Sequence, residues 1–417
     1  MMTLDIRTLS PDDLPAWLRA VATGFLRGPE VSEEELKVRR EFIDLDRTQG
    51  AYDGARCVGT FRTMPQQLTV PGGAALPSCA VTNVTVSATH RRRGLLTRMM
   101  ANALGAAKDR GDAFASLISA EYPIYGRYGF GPAAWTCEYE VEAVRTGLDR
   151  RYAGPPEGEG GVELIDAADV RRLAPELYER FRAQPHRQGV IDRNTLWWQQ
   201  ATGEWRHPED GYVAPFHVLY RDAGGVPQGL AAYTSDDVWH DKLPHNTATV
   251  RYLFGTTTAA ERALWHYLLS VDWVTTVRTG HRAPDDVLPL LLPDPRAARL
   301  RTHADFLWLR PLDVPRMLEA RTYTVPGSLV LGLGDTAGLA DGRYRLEAGP
   351  DGARCTRTRD DAELTLDIGE LGALYLGDET ATRLLALGRV TEHRAGAAAT
   401  ADALFRTARR PWCPDIF

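Results

Sequence analysis

The sequence predicts a chain that is α/β and then α+β, built from three successive units. Three observations carry that reading. A run rich in valine and threonine passes through a basic turn into an amphipathic helix and a second apolar strand, the order of a crossover α/β unit. The same strand, turn and helix order returns after a stretch rich in proline and glycine, and from about residue 300 the texture changes to short strands. At 417 residues the chain is also too long for one hydrophobic core, so two or three domains are expected.

The first unit, residues 1–148, opens with helical stretches at Pro11–Ala22 and Glu33–Arg40. Strand-like runs follow at Gly50–Tyr52 and Cys57–Met64, and Val70 to Gly73 reads as a hairpin turn. Ser78–Ala88 (SCAVTNVTVSA) is a buried strand on its valine and threonine content. Apolar residues then recur at Leu96, Met99, Met100, Ala103, Leu104 and Ala107, a helical stripe that stops at Gly111. Ala113–Ser119 is the next strand. Arg150–Gly161 (RRYAGPPEGEGG) is the linker candidate into the second unit, residues 149–299. There VELI is a strand, Ala168–Phe181 a helix, and FHVLYR and GLAAYTS are strands. TATVRYLFGTTTAAERALWHYLLS repeats strand, turn and helix, with Thr258 and Glu261 at the spacing of a capping box. Its turn, FGTTTAA, holds no arginine and one glycine, and is a degenerate, structural echo of the first. In the third unit, residues 300–417, YTVPGSLVLGLGD, GRYRLEAG and ARCTRTRD are short strands, and AELTLDIGELGALYLG leads into a helix at Glu379–Leu387.

Composition narrows the function classes. With 44% hydrophobic and 25% charged residues and no apolar run long enough for a bilayer, the chain has the make-up of a soluble globular protein without a membrane partner. MMTLDIRTLS lacks the basic-then-apolar pattern of a signal peptide, so a cytoplasmic location is expected. Five cysteines (Cys57, Cys79, Cys137, Cys355, Cys413) are odd in number, widely spaced and without a CxxC pair, which favours reduced core thiols over disulfides or zinc. Cys137 has no His or Asp beside it to make it a nucleophile. The ten histidines show no metal spacing, and His240 and His245 belong to a solvated loop, so no metal is expected. A formal net charge of −6 gives nucleic-acid binding no support.

Against that acidic background, the stretch THRRRGLLTRMM beginning at Thr89 stands out. A helix N-terminus offers unpaired backbone N–H groups and the positive end of the helix dipole. Gly94 allows close approach of a ligand to the backbone, and Arg91, Arg92 and Arg93 add charge-assisted contacts. GxxxxGK(S/T) and GxGxxG are both absent, which removes a triphosphate P-loop and a dinucleotide fingerprint on pattern. Local sequence leaves a pyrophosphate site and a solvated helix cap side by side.

Val84–Thr97, the helix and strand after it, and the motif YPIYGRYGFG together resemble the acetyl-coenzyme A motif of the GNAT acetyltransferases. Their Arg-x-x-Gly-x-Gly/Ala turn is matched by Arg91 and Gly94 and departs at Leu96, where Gly or Ala is usual. That departure, the tandem layout and the ending resemble one branch, the enhanced intracellular survival (Eis) proteins. The resemblance covers essentially the whole chain. It implies tandem GNAT-like domains, the second degenerate, followed by a sterol-carrier-like α+β domain, and a homo-oligomer, hexameric in that family.

The resemblance also implies roles. Val84, Thr85 and Val86 would contact the donor through backbone groups, with Val84 and Val86 offering N–H to the thioester oxygen and pantetheine. Arg91 to Thr97, including Leu95, would cradle the pyrophosphate, and Ala120 and Glu121 complete the coenzyme contacts. Tyr125 maps onto the general acid that protonates the leaving thiolate, while Tyr128 is assigned to packing. The ending RRPWCPDIF is stiffened by Pro411 and Pro414 and is apolar at Trp412, Ile416 and Phe417, which is poor composition for a frayed end. Family members use the terminal carboxylate, here that of Phe417, as the base that deprotonates the amine, and this requires a deep, anchored terminus. Phe25, Asn83 and Ile416 would line the acceptor site. ATGFLRGPE holds no acid before Glu30 and Ile416 is apolar, so less negative charge can be placed in the site than in aminoglycoside-acetylating relatives, and weaker acetylation of aminoglycosides is expected. The expected activity is acetyl-CoA-dependent N-acetylation of primary amines on aminoglycosides or similar polyamine-like small molecules. Protein lysine and arylalkylamine acceptors remain open, as does a lipid-carrier or interaction protein with an idle first domain. Retention of Arg92, Gly94, Tyr125 and an apolar end together speaks against the idle domain.

Overall fold

The computed structural model describes residues 4–143, 160–206 and 211–417; the linker candidate lies outside them except for its last two glycines. Twelve strands form one sheet running through the first two units. In chain order they are β1 (Asp5–Thr8), β2 (Thr48–Asp53), β3 (Arg56–Thr69), β4 (Ala75–Val86), β5 (Phe114–Ile118), β6 (Gly131–Glu142), β7 (Gly161–Ile165), β8 (Phe216–Arg221) and β9 (Pro227–Ser235), then β12 (Asn246–Gly255), β13 (Val274–Arg278) and β14 (Ala298–Pro311). The short ribbon β10 (Trp239–His240) and β11 (Leu243–Pro244) stands apart. Spatial order is β1-β2-β3-β4-β5-β14-β6-β13-β12-β9-β8-β7. Two crossovers are parallel, β4 with β5 and β12 with β13, each bridged by a helix as the repeated pattern predicts. The antiparallel pair β6–β13 sews the two halves together.

Helices α1 (Leu14–Gly24) and α2 (Glu33–Phe42) cover one end of this sheet, and α3 (Leu95–Asp109) buries Leu95, Met99, Met100, Ala103, Leu104 and Ala107 against it. Leu96, expected in that stripe, is only half-buried but still packs on the same core. The second unit places its helices Ala167–Arg182 and Thr258–Leu269 over separate apolar clusters. The cap of the latter helix is Thr257, not Thr258: its hydroxyl accepts from the Ala260 N–H at 3.1 Å. Glu261 is drawn instead to Arg187, 2.6 Å away, so no capping box forms there.

β15 (Gly327–Gly334), β16 (Gly342–Gly349), β17 (Gly352–Arg357), β18 (Leu364–Asp367) and β19 (Val390–Glu392) form the third unit's sheet, in the order β17-β16-β15-β18-β19. The helix expected at Glu379–Leu387 lies at Ala381–Ala386, capped by Thr380, and a last helix follows at Ala397–Phe405. A further helix, Ile368–Tyr375, occupies IGELGALY, which sequence alone does not resolve as helical. Two glycines interrupt its propensity and also explain its position. A Cβ at Gly372 would lie 2.4 Å from the Leu309 carbonyl oxygen, and one at Gly131 would lie 1.8 Å from that of Gly369. The helix therefore packs backbone to backbone on β6 and β14. β14 itself inserts between β5 and β6, antiparallel to both, so the third unit is wedged against the strands that carry the site.

Candidate active site

The site begins where β4 and β5 separate. Their parallel register runs only from Ser78–Phe114 to Ala80–Ser116, although β4 continues to Val86. On its other edge β4 pairs with β3, with a register shift between Thr60 and Arg62 opposite the stretch Thr82–Thr85. Asn83 sits at this bulge with φ +50°, a left-handed backbone that asparagine tolerates better than most residues. Beyond residue 80, therefore, the β5-facing edge of β4 has no ladder partner among the described residues; by strand alternation Val84 and Val86 turn their backbone to that edge, where the Val86 carbonyl accepts from Arg91 at 3.5 Å, while Thr85 pairs with Thr60 of β3. Val84 and Val86 pack half-buried on the first core.

From β4 the chain turns into α3. Gly94 is the N-cap, at φ +74° and ψ 7°, and a Cβ added to it would meet nothing within 4 Å. The first-turn N–H groups of α3 thus face open space rather than a side-chain cap. Arg91, Arg92 and Arg93 are exposed; Arg93 donates to the Thr89 carbonyl at 3.2 Å, and none of the three forms an ion pair among the described residues. Arg92 also has positive φ, +62°. The turn is braced from below by His90, buried, whose ring contacts the Asp53 carboxylate at 3.1 Å and the Thr89 hydroxyl at 2.8 Å. Leu96 turns onto the first core, so its bulk stays clear of the turn. Exposed Thr97 holds its hydroxyl 3.3 Å from that of Tyr128. The equivalent turn of the second unit is closed, with Thr257 capping the helix and Arg187 and Gln184 donating to the carbonyls of Gly255 and Thr256. That closure is the physical content of its degeneracy.

After β5, exposed Ala120 and Glu121 lead into a single helical turn, α4 (Tyr122–Tyr125). Tyr125 is 8% exposed, edge-on to Phe130, and its hydroxyl has no hydrogen-bond partner among the described residues. Burial, then the charge of Glu121, raises its pKa above the usual phenol value. Tyr128 is half-buried against the same core, as a packing residue should be. Sequence does not flag what holds this loop. Arg310 on β14, fully buried, donates through Nε to the Tyr128 carbonyl at 3.2 Å and through one terminal nitrogen to both Asp335 oxygens at 2.7 Å.

The chain end is anchored from three sides. Trp412 donates its backbone N–H to the Gln188 carbonyl at 3.0 Å and its indole N–H to that of His281 at 3.1 Å. Asp415 takes a two-pronged bond from Arg193, at 3.0 and 2.9 Å, in a buried pair. The Arg193 guanidinium lies over Trp197 at 3.7 Å and Tyr178 at 4.2 Å, so its charge is held by aromatic faces as well as by the acid. After this anchor Ile416 is 65% exposed, and Phe417 is half-buried against the core shared by the third unit and β14. The terminus is fixed, as expected, but less deeply than its apolar composition implies.

A cleft between α1, α2 and the β4 bulge is lined by Asn83 together with Trp17, Arg27, Glu30, Glu35 and Arg39. Phe25, expected there, instead stands 46% exposed at the end of α1 and is not part of the lining. Glu35 and Arg39 were not among the sequence-derived candidates; they come from the polar face of α2, which looks like any solvated helix in sequence. All five cysteines are buried as free thiols, and burial pushes the Cys57 thiol up to about 11. His240 and His245 pack ring against ring, 5.1 Å apart, at the exposed ribbon.

Comparison with known proteins gives the domains and the family. Residues 5–133 and again 189–311 match the acetyltransferase (GNAT) domain, and 314–414 match the sterol carrier protein domain. The chain is 58% identical over 416 residues to an uncharacterized N-acetyltransferase of Streptomyces avermitilis, covering 99% of each. It is 34% identical to N-acetyltransferase Eis of Mycobacterium tuberculosis over 93% of each chain. The crystal structure of Eis1 from Mycobacterium abscessus superposes with a TM-score of 0.84 at 32% identity, across 99% of this chain and 100% of that one. A chain with two GNAT domains, an open turn in the first and a closed one in the second, and a sterol-carrier-like third domain belongs to the Eis family of GNAT N-acetyltransferases.

Proposed function

We propose that this N-acetyltransferase moves the acetyl group of acetyl-CoA directly onto a primary amine of a small molecule, aminoglycosides among the acceptors. The observation that supports the reading is the pairing of an open helix N-terminus at Gly94, with three arginines free of ion pairs among the described residues, and the edge of β4 at Val84 and Val86, beyond the end of its ladder with β5. Diphosphate fits the turn by charge and by backbone N–H, and the strand edge offers donors to a thioester oxygen where negative charge develops. Ala120 and Glu121 would complete the coenzyme contacts. The Phe417 carboxylate takes a proton from the attacking ammonium, the new C–N bond forms as the C–S bond breaks, and Tyr125 protonates the departing sulfur. Burial that keeps Tyr125 in its phenol form suits a proton donor. A homo-oligomer, hexameric as the family resemblance implies, completes the reading. Among the described residues no helix is long and apolar enough to cross a membrane.

The test is binding before turnover. Acetyl-CoA should raise the melting temperature by mass action, and NADH and ATP should not. Arg92→Glu places like charge beside the diphosphate and should abolish the shift. A folded Arg92→Glu protein with the full shift would remove the phosphate reading of the turn.

A further inference from the structure

Each GNAT domain carries a fork where two parallel strands part, and in the second domain that fork is filled by the chain's own residues. We infer that the second fork is a socket for the chain end, and that Arg282 and Trp412 are positioning residues which hold the Phe417 carboxylate at the transfer site. The inference rests on reading that carboxylate as the base, and it gives the degenerate unit a part in the reaction.

The two forks correspond strand by strand. In the first, the β4–β5 ladder stops at Ala80–Ser116, and just beyond it β4 bulges against β3. In the second, the β12–β13 ladder stops at Thr249–Arg278, and just beyond it β12 bulges against β9, between Val250 and Tyr252. Past Arg278 the chain leaves β12 and follows β6. Thr279 donates its N–H to the Tyr139 carbonyl at 3.0 Å, and Arg282 and Cys137 exchange backbone bonds at 2.8 Å. Arg282 then reaches back across the gap. Its Nη1 donates to the Leu253 carbonyl of β12 at 2.8 Å while its Nε binds Asp286 at 2.8 Å. The Leu253 carbonyl is thereby satisfied from inside the protein. Trp412 of the chain end completes the filling. Its ring lies 4.6 Å from that guanidinium and edge-on to Phe181, with the indole N–H on the His281 carbonyl. The space left over is bounded by Leu253 and Phe254 on one side, Thr279 and His281 on the other, and Trp412 and Pro414 of the chain end. A Cβ at Gly189, whose φ is +96°, would lie 2.9 Å from the Trp412 carbonyl oxygen, so a bare backbone lets the tail in this close. Reach decides what the socket does. Pro414 fixes one backbone angle and Arg193 holds Asp415, so Ile416 alone separates the last anchor from Phe417. An end so short passes any shift of the socket on to the carboxylate, and a misplacement of about 1 Å at a reacting group can cost about 10²-fold in rate.

Two mild variants loosen the socket from opposite sides. Arg282→Lys keeps a cation for Asp286 but loses the second prong to Leu253, and Trp412→Phe keeps a ring but loses the donor to His281. Release of free phenylalanine by carboxypeptidase Y reads how often the tail leaves the socket. It should quicken about tenfold in either variant, a change of about 1.4 kcal/mol in local opening. Thiol release is then compared for hexylamine, a cation near neutral pH, and trifluoroethylamine, which is already neutral there and needs no base. Turnover of hexylamine should fall about tenfold or more and that of trifluoroethylamine much less, with the acetyl-CoA thermal shift unchanged. Leu268→Ala, in the core of the same unit, lowers stability without touching the tail and should alter neither the trimming nor the ratio of the two amines. Unchanged trimming in both folded variants overturns the inference, and so does an unchanged amine ratio when extension past Phe417 abolishes transfer. Should the extended protein keep full transfer, the base reading fails and trimming alone decides whether the second unit holds the chain end.

Discussion

Tyr125 and its neighbours are the side chains on which the proposed chemistry turns. The ring is packed and the hydroxyl has no protein partner among the described residues, so Tyr125→Phe removes a proton while keeping the packing. Turnover should fall by about 10²–10⁴-fold, with the acetyl-CoA thermal shift retained; wild-type turnover would transfer the role to another donor, Tyr128 first. The pH sign comes from the raised pKa. In the proposed mechanism the protonated phenol is the active form, so any loss of rate due to Tyr125 lies above about 10, the ordinary phenol value, and a pH–rate profile of wild type against Tyr125→Phe measures it. The thiols are governed by the same desolvation. Cys57, at about 11, and Cys355, pushed up to about 12, stay protonated in the native state. Their raised values contribute stability that is present below about 8.5 and is lost as pH climbs through 11 to 12. At pH 8 a disulfide reagent should find no reactive thiol in the native protein and all five after unfolding. Fast labelling of the folded protein would contradict that burial. Tyr125 was legible in the sequence through its motif. Arg310, Asp335, Arg193 and Asp415 were not, because each pair joins residues distant in sequence and becomes a pair only when the chain folds.

The two strand–turn–helix elements behave differently because of a few residues at their turns. Both were legible in the sequence, as alternating apolar runs, a helical stripe and a glycine between. The arginines and Gly94 marked the first turn without deciding between an anion site and a helix cap, and the lack of arginines marked the second as degenerate. What sequence could not supply was the mechanism of closure, since the groups that fill the second turn, Gln184 and Arg187, arrive from another segment. Helix Ile368–Tyr375 escaped for a related reason: Gly369 and Gly372 weaken its local propensity, and their purpose is visible only in the contacts with Phe130, Gly131 and Leu309. Gly94→Val tests the open turn as an element. Positive φ makes any side chain there cost about 1–2 kcal/mol, and the surrounding space absorbs its bulk without a clash. The variant should therefore fold with a modest loss of stability, yet lose acetyl-CoA affinity by tenfold or more because the side chain stands where the diphosphate meets the backbone. Unchanged affinity, measured by calorimetric titration, would mean that the turn is only a helix cap.

At the scale of the whole molecule, the chain end ties the third unit to the second. Arg409 binds Asp285 in the second unit, Arg410 binds Asp378 in the third, and the anchors at Trp412 and Asp415 hold the last residues in place. Fold and domain order were readable from pattern and resemblance, whereas this path was not, because sequence shows only that the tail is stiff and apolar. Two kinds of change separate anchoring from chemistry. Asp415→Ala leaves Arg193 buried without its acid, so it should cost about 3–5 kcal/mol and impair folding and activity together. A few residues added after Phe417 leave that anchor intact. Ile416 is exposed and Phe417 only half-buried, so an extension has a route to solvent. It converts the Phe417 carboxylate into an amide, which has no basic oxygen to accept the proton of the attacking ammonium. Deleting Phe417 moves the carboxylate back by one residue and removes the ring that packs on the shared core. Both changes should abolish acetyl transfer while the melting temperature and the acetyl-CoA shift remain near wild type, because the turn at Gly94 lies in the first unit. An N-terminal tag of the same length should be harmless. A C-terminally extended protein with full thiol release would reduce the end to a packed tail and move the base to a water or an internal side chain.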